Sequence, residues 1–216
     1  GIWNLEQSYM PSMIRTNSYD TVCHEHLEYY SLFVIKNLME RNQLRIIDVV
    51  FNRINGGSFS VTVCHEDASY QSNTSIINWM LSQEERMQLN TPYPYREFER
   101  KSYAHRSDLK ELIDSINKSD KKIAGYGAST KGNVILQFCQ FNSEDIYGIA
   151  EVNEDKFGKY TPGSNIPISS EKIIKSTNPD YMLVLPWHFR ENIIEREKEY
   201  LIKGGKLIFP LPEIEI

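Results

Sequence analysis

The sequence predicts an α/β protein built of two unlike parts joined by helices, and three observations carry that prediction. After Lys121, short apolar or β-branched runs alternate with helical ones, which implies a mostly parallel sheet because parallel neighbours need a long return connection. Before residue 66, two strand-like runs flank the turn signal Asn55-Gly56-Gly57-Ser58, so the second should return antiparallel to the first. Between these parts, residues 73–118 carry apolar side chains at helical spacing. The expected organisation is a first domain over residues 1–68, a helical connector over 69–118 and a Rossmann-like domain over 119–216.

Taken in order, Ile2-Trp3-Asn4-Leu5-Glu6-Gln7 reads as a short strand ending in polar groups, and the C-terminal edge of a strand is where open α/β sheets place ligands. Residues 19–31 follow as a loop rich in chemistry. Leu32, Ile35, Leu38 and Met39 then recur at helical spacing, residues 44–50 are β-branched and strand-like, and residues 59–64 alternate polar with apolar. In the connector, Ile76, Ile77, Met80 and Leu81 make one helical face before Pro92 and Pro94. Phe98, Leu109, Leu112, Ile113 and Ile116 make the next. The C-terminal part reads as a strand over 122–126, a helix over 131–140, a strand over 146–152 and a strand over 181–185. A helix over 191–202 stops at Gly204-Gly205, and a last strand covers 206–209.

Composition narrows the function classes. A formal charge of −5 disfavours a nucleic-acid or membrane-surface protein, since both partners call for a basic face. No run has the apolar length of a membrane span and no signal-peptide pattern opens the chain, so a cytoplasmic location is expected. Cys23, Cys64 and Cys139 are odd in number and widely spaced, which fits reduced thiols. His24 and His26 lack further ligands at metal spacing, and no metal is expected.

Two segments carry chemistry. Residues 19–31, Tyr-Asp-Thr-Val-Cys-His-Glu-His-Leu-Glu-Tyr-Tyr-Ser, hold two histidines, two glutamates and three tyrosines. A general base needs a neighbour that sets its orientation and basicity, and Glu25 beside His26 supplies one. Glu28, Tyr29 and Tyr30 offer partners for sugar-like hydroxyls. The other segment is Gly125-Tyr126-Gly127-Ala128-Ser129-Thr130-Lys131-Gly132-Asn133, placed between a strand and a helix. Gly125 and Gly127 permit a sharp turn, free N–H groups at the helix start suit an anion, and Ser129, Thr130 and Lys131 add donors and charge. Glu151 falls where a dinucleotide fold carries its ribose-binding carboxylate. The spacing departs from GxGxxG, and the glycines serve equally to pack a strand tightly on a helix. Trp187 and His188, after the strand over 181–185, fall at the same ligand edge.

Together these blocks resemble the C-terminal portion of the nucleotide-sugar C-methyltransferases, S-adenosylmethionine-dependent enzymes acting on 4-keto-6-deoxy nucleotide sugars in deoxysugar biosynthesis. The resemblance rests on Tyr19-Asp20-Thr21, His24-Glu25-His26-Leu27, Tyr29-Tyr30-Ser31, Gly56-Gly57-Ser58, the glycine loop with Lys131-Gly132-Asn133, Tyr160-Thr161-Pro162-Gly163, Pro186-Trp187 and Pro210-Leu211-Pro212-Glu213. It implies that residues 1–68 are the closing half of a class I methyltransferase sheet. His26 would be the base, with Glu25 alongside, forming an enolate whose carbon takes the methyl group. His24 and nearby tyrosines are candidates to hold the enolate oxygen, and Tyr29, Tyr30, Gly125, Gly127, Ser129, Thr130, Lys131, Trp187 and His188 to hold the substrate. Two departures stand out: Cys23 where many members have tyrosine, and Ser60 where an arginine is common. The resemblance also implies that the chain is a fragment, inactive alone, lacking an N-terminal zinc module and most of the S-adenosylmethionine pocket, and leaving a sheet edge exposed. Two alternatives remain, a non-catalytic nucleotide-sugar or nucleotide binding module with a Rossmann-like fold and a small dinucleotide-dependent oxidoreductase.

Overall fold

Three strands open the chain in a computed structural model that describes residues 1–52 and 57–216: β1 (Ile2–Ser8), β2 (Leu44–Asn52) and β3 (Ser58–His65). The turn at Asn55-Gly56 lies outside the described residues. β3 runs between the other two and is antiparallel to both, in the order β1-β3-β2. Its alternation decides which face is inward, with Phe59, Val61 and Val63 buried and Ser60 and Thr62 only partly covered. β1 has a strand neighbour on one side only among the described residues, and its Ile2 and Trp3 are 58% and 54% exposed.

Helices cover one face of this sheet. After α1 (Met10–Arg15), α2 (Leu32–Glu40) begins at Ser31, whose side chain accepts the Val34 N–H at 3.3 Å. Leu32, Ile35 and Met39 lie on one stripe of α2 and pack with Ile46, Val49, Phe59, Val61 and Val63. α3 (Thr74–Arg86) adds Ile77 and Met80, and next along the same stripe comes the buried Glu84. That carboxylate accepts the Leu32 N–H at 2.6 Å, the Phe33 N–H at 2.8 Å and the Tyr9 O–H at 2.8 Å. An anion at the start of a helix is favoured by its free N–H groups and dipole, and three strong bonds offset the cost of burying it. α4 (Tyr93–Asn117) follows, with Pro92 just before it and Pro94 in its first turn, where a missing N–H costs nothing.

By compactness the chain divides into two units. One comprises Gly1–Ser18 with His26–Arg100, and the other Tyr19–Glu25 with Lys101–Ile216. The second is an all-parallel five-stranded sheet of β4 (Ile123–Tyr126), β5 (Ile149–Glu151), β6 (Ile168–Ser170), β7 (Tyr181–Val184) and β8 (Lys206–Ile208), in the order β6-β5-β4-β7-β8. α5 (Thr130–Phe138) links β4 to β5, and α6 (Glu171–Ser176) links β6 to β7. Leu109, Ile113 and Ile116 of α4 are buried within this unit.

Three features differ from the sequence reading. β6 and α6 were not expected, because a three-residue strand, Ile168-Ser169-Ser170, has no readable alternation. The strand expected over 146–152 is shorter. The single helix expected over 191–202 is instead α7 (Arg190–Arg196) and α8 (Lys198–Ile202), broken at Glu197. Glu197 is buried and accepts the Tyr126 O–H at 2.9 Å and the Lys175 ammonium at 2.8 Å. The break is where this inward-facing carboxylate meets its partners.

Candidate functional site

In the second unit the strand order reverses between β4 and β7, since the chain passes outward through β5 and β6 and returns to the other side of β4. Open parallel sheets bind ligands at such a switch point, outside the carboxyl ends of the strands. The loops after β4 and β7 meet there. Gly127 has φ +82°, and a Cβ on it would stand 2.9 Å from Pro186 Cδ, so only glycine fits. A Cβ at Gly125 would lie 2.3 Å from Ile149 Cδ1, and one at Gly132 would lie 2.6 Å from Leu185 Cβ. These glycines thus admit close strand and helix packing. Ser129 caps α5 by accepting the Gly132 N–H at 3.0 Å.

Glu151 does not point outward as a ribose partner would. It is 6% exposed, and its Oε2 accepts the Ala128 N–H of the glycine loop at 2.8 Å, while Oε1 accepts the N–H groups of Val152 at 2.8 Å and Asn153 at 3.0 Å. Lys156 donates to the Ala128 carbonyl at 2.7 Å and to Glu151 at 3.3 Å. Burial acts to raise the carboxyl's pKa, and the amides of Asn153, Val152 and Ala128 together with Lys156 outweigh it, holding Glu151 below the usual range. A crevice of about 400 Å³ beside this latch is lined by Gly127, Ala128, Lys156, Phe189 and Arg196 among others.

The first part of the His/Glu run belongs to this same unit. Tyr19–Thr21 forms a 3-10 turn against α5, and the fully buried Asp20 accepts the Trp187 indole N–H at 2.7 Å. Tyr19 packs its ring on Phe138, and its hydroxyl meets His105 Nδ1 at 3.1 Å. His105 Nε2 faces the Pro210 carbonyl and must donate to it, so Tyr19 donates to Nδ1. His24 and Glu25 are 82% and 59% exposed, and their ionisable atoms are 4.0 Å apart. Thr130 Oγ1 lies 3.5 Å from Glu25 Oε1. Lys131 is half-buried, and burial lowers its pKa against the opposing pull of Asp20 and Cys23. Burial and the Lys131 charge push His188 down to about 4, and its Nδ1 makes no hydrogen bond among the described residues.

His26, Tyr29 and Tyr30 fall in the first unit, all half-buried. The Tyr30 hydroxyl donates to Glu28, and its carbonyl accepts the Met10 N–H at 2.9 Å. The structure therefore places His24, Glu25, Gly125, Gly127, Ser129, Thr130, Lys131, Trp187 and His188 in one unit. Asp20 and the latch of Glu151 onto Ala128 were missed from sequence. Asp20 stands in a block already singled out, Tyr19-Asp20-Thr21, but its partner lies 167 residues away. Among the described residues no group of three or more His, Cys, Asp or Glu side chains is placed to hold a metal ion, and no helix is long and apolar enough to cross a membrane.

Comparison with known proteins gives this arrangement a context. The chain is 34% identical over 213 residues to the C-methyltransferase NovU of Streptomyces niveus, an alignment that covers 99% of the chain and 50% of that protein. The chain thus spans about half the length of the curated relative it matches, and the alignment takes in the His/Glu run. Residues 53–212 match the family described as the C-methyltransferase C-terminal domain. With most of its length inside that match and nearly all of it aligned to NovU, the chain belongs to the C-methyltransferase C-terminal domain family.

Proposed function

We propose that the chain is the substrate-handling part of an S-adenosylmethionine-dependent C-methyltransferase acting on a 4-keto-6-deoxy nucleotide sugar. The observation that carries this reading is the convergence of Glu25, Thr130, Lys131 and Trp187 at the switch-point edge of one parallel sheet, where ligands bind in such folds. The C-methyltransferase activity in the relative's name supports the reaction class. In this reading Lys131 and the Ser129 and Thr130 hydroxyls receive the diphosphate, with His188 and Trp187 beside them. His26 takes the proton from the carbon next to the ketone, Glu25 favours the resulting imidazolium, and His24 or the Tyr29 and Tyr30 hydroxyls donate to the enolate oxygen. A positioned base supplies about 10²–10⁴-fold, or about 3–5 kcal/mol of barrier, so donors to the oxyanion must supply much of the rest.

S-adenosylmethionine supplies an electrophilic methyl group when bound. The residues described do not fit it: the first unit has no glycine turn between a strand and a helix, and the Ala128 amide of the glycine loop is already taken by Glu151. We assign donor binding to the half of a NovU-length protein that this chain does not span.

Solvent deuterium entering the carbon next to the ketone tests the base without a methyl donor. In the complete protein, exchange into a thymidine diphosphate 4-keto-6-deoxy sugar should fall at least 100-fold in His26→Ala with the fold unchanged. Undiminished exchange would remove His26 as base. Sugar-nucleotide binding with no exchange in the wild type would favour a binding module instead, and tight NAD binding would overturn the reading altogether.

A further inference from the structure

Resting on the reading of Ser129, Thr130 and Lys131 as the groups that receive the diphosphate, we propose that the crevice beside the glycine loop is the nucleoside subsite. The base stacks on Phe189, the side chains of Asn192 and Arg196 meet its polar edge, and the 2′-hydroxyl of the attached sugar goes unread.

The crevice lies wholly in the second unit, and its volume of about 400 Å³ is that of a small-molecule site. Ser129, the cap of α5, lines it together with Gly127 and Ala128. A ligand whose diphosphate meets the start of α5 can therefore lay its next group in this opening. Ala150 and Ile193 are buried there, whereas Phe189 and Val152, which line it too, are 54% and 59% exposed. The Phe189 ring is backed by His188, with centroids 4.3 Å apart. A flat ring can pack on such a phenyl group, as unstacked bases do on aromatic side chains. Polar groups are few and lie on α7. Asn192 is exposed and offers an amide that both donates and accepts, and Arg196, one turn further along, donates one nitrogen to Glu171 at 2.5 Å while its side chain stays 50% exposed. An apolar face with a polar edge is the character of a nucleobase.

Glu151 decides what the subsite ignores. In dinucleotide folds the carboxylate at this strand end accepts a ribose hydroxyl. Here its two oxygens already receive the N–H groups of Ala128, Val152 and Asn153 and the Lys156 ammonium, which uses the acceptor capacity of a carboxylate. A ribose and a deoxyribose are therefore treated alike. Thymidine, which carries no phosphate, tests this by itself. At millimolar concentration it should shift the Asn192 side-chain NH₂ signal in the NMR spectrum of the full chain, a signal assigned by its loss in Asn192→Ala. Adding the 2′-hydroxyl, as in 5-methyluridine, should change the affinity by less than about threefold, where a site built on that hydroxyl discriminates by orders of magnitude. An unmoved Asn192 signal, or a larger preference for 5-methyluridine, would overturn the proposal.

Calorimetry then compares thymidine diphosphate with inorganic pyrophosphate. Phe189→Ala should lose at least about fivefold in affinity for thymidine diphosphate, the low end of what stacking a base on an aromatic ring contributes, and Phe189→Tyr should keep that affinity. Pyrophosphate should bind all three proteins alike, because Phe189 does not meet the diphosphate. Equal loss for both ligands in Phe189→Ala, or no loss for either, would place the base elsewhere and overturn the subsite. Failure of both ligands to bind the wild type would instead overturn Lys131 as the diphosphate group, and the thymidine measurement would still decide the crevice.

Discussion

Replacing Glu151 by glutamine tests the account of the glycine loop most directly. The carboxylate receives four donors: the N–H groups of Ala128, Val152 and Asn153 at 2.8, 2.8 and 3.0 Å, and the Lys156 ammonium at 3.3 Å. A glutamine side chain keeps one acceptor oxygen. It can serve either Ala128 or the Val152 and Asn153 pair, and its NH₂ must then face donors on the other side. Losing a charged hydrogen bond removes about 1.5–3 kcal/mol, and an unsatisfied buried N–H costs about 1–3 kcal/mol more, so a loss of about 2–4 kcal/mol is expected once partial relaxation is allowed. For a chain of this size that corresponds to a fall in Tm of about 4–16 °C. The pH dependence has a definite sign. Folding holds the carboxyl below its ordinary value of 4.5, so the stabilisation is complete above that value and disappears as pH falls through the lower folded value. Urea unfolding of wild type and Glu151→Gln at pH 7 and at intervals down to pH 3 measures both quantities. A gap under about 0.5 kcal/mol at pH 7, or one that stays constant into acid, would refute the reasoning.

Three further outcomes follow from other parts of the molecule. Glu84→Ala strands the N–H groups of Leu32 and Phe33 and the Tyr9 hydroxyl, and should cost about 3–5 kcal/mol; a double-mutant cycle with Tyr9→Phe should return about 1–3 kcal/mol of coupling by denaturant titration. Gly132→Ala drives a Cβ to 2.6 Å from Leu185 Cβ, and the overpacking cost of about 1–3 kcal/mol should exceed the gain of about 1 kcal/mol in helix propensity, so the variant should melt below wild type. His188 titrates at about 4 when folded against an ordinary 6.5, so its share of stability is complete above 6.5 and declines as pH falls toward 4. The full linkage value of about 3 kcal/mol reduces to about 1–2 kcal/mol for a ring that is partly solvated, and His188→Phe should flatten the unfolding profile in that window.

How much of this was legible in the sequence depended on the range of the interaction. Periodicity located α2, α3 and the strands of the first unit, because Leu32, Ile35 and Met39, or Phe59, Val61 and Val63, declare a face by their spacing alone. What escaped detection depended on contacts between distant residues. Glu197 breaks a helix because of Tyr126 and Lys175, and Glu151 turns inward because Ala128 presents an N–H. In the His/Glu run, Tyr19–Glu25 belongs to the second unit, and the Asp20 bond to Trp187 spans 167 residues. The chemistry of the site could be read as a set of residue types, whereas the partner of each residue could not.

The latch of Glu151 on Ala128 has a consequence for how the loop responds to its surroundings. In many glycine loops an external phosphate supplies the negative charge, so the order of the loop depends on how much nucleotide is present. Here the anion is tethered to the neighbouring strand, so the Ala128 N–H has its acceptor without any external phosphate. Under the function proposed above, Ser129, Thr130 and Lys131 would meet their ligand on a loop already held in place, which lowers the entropy cost of arranging them.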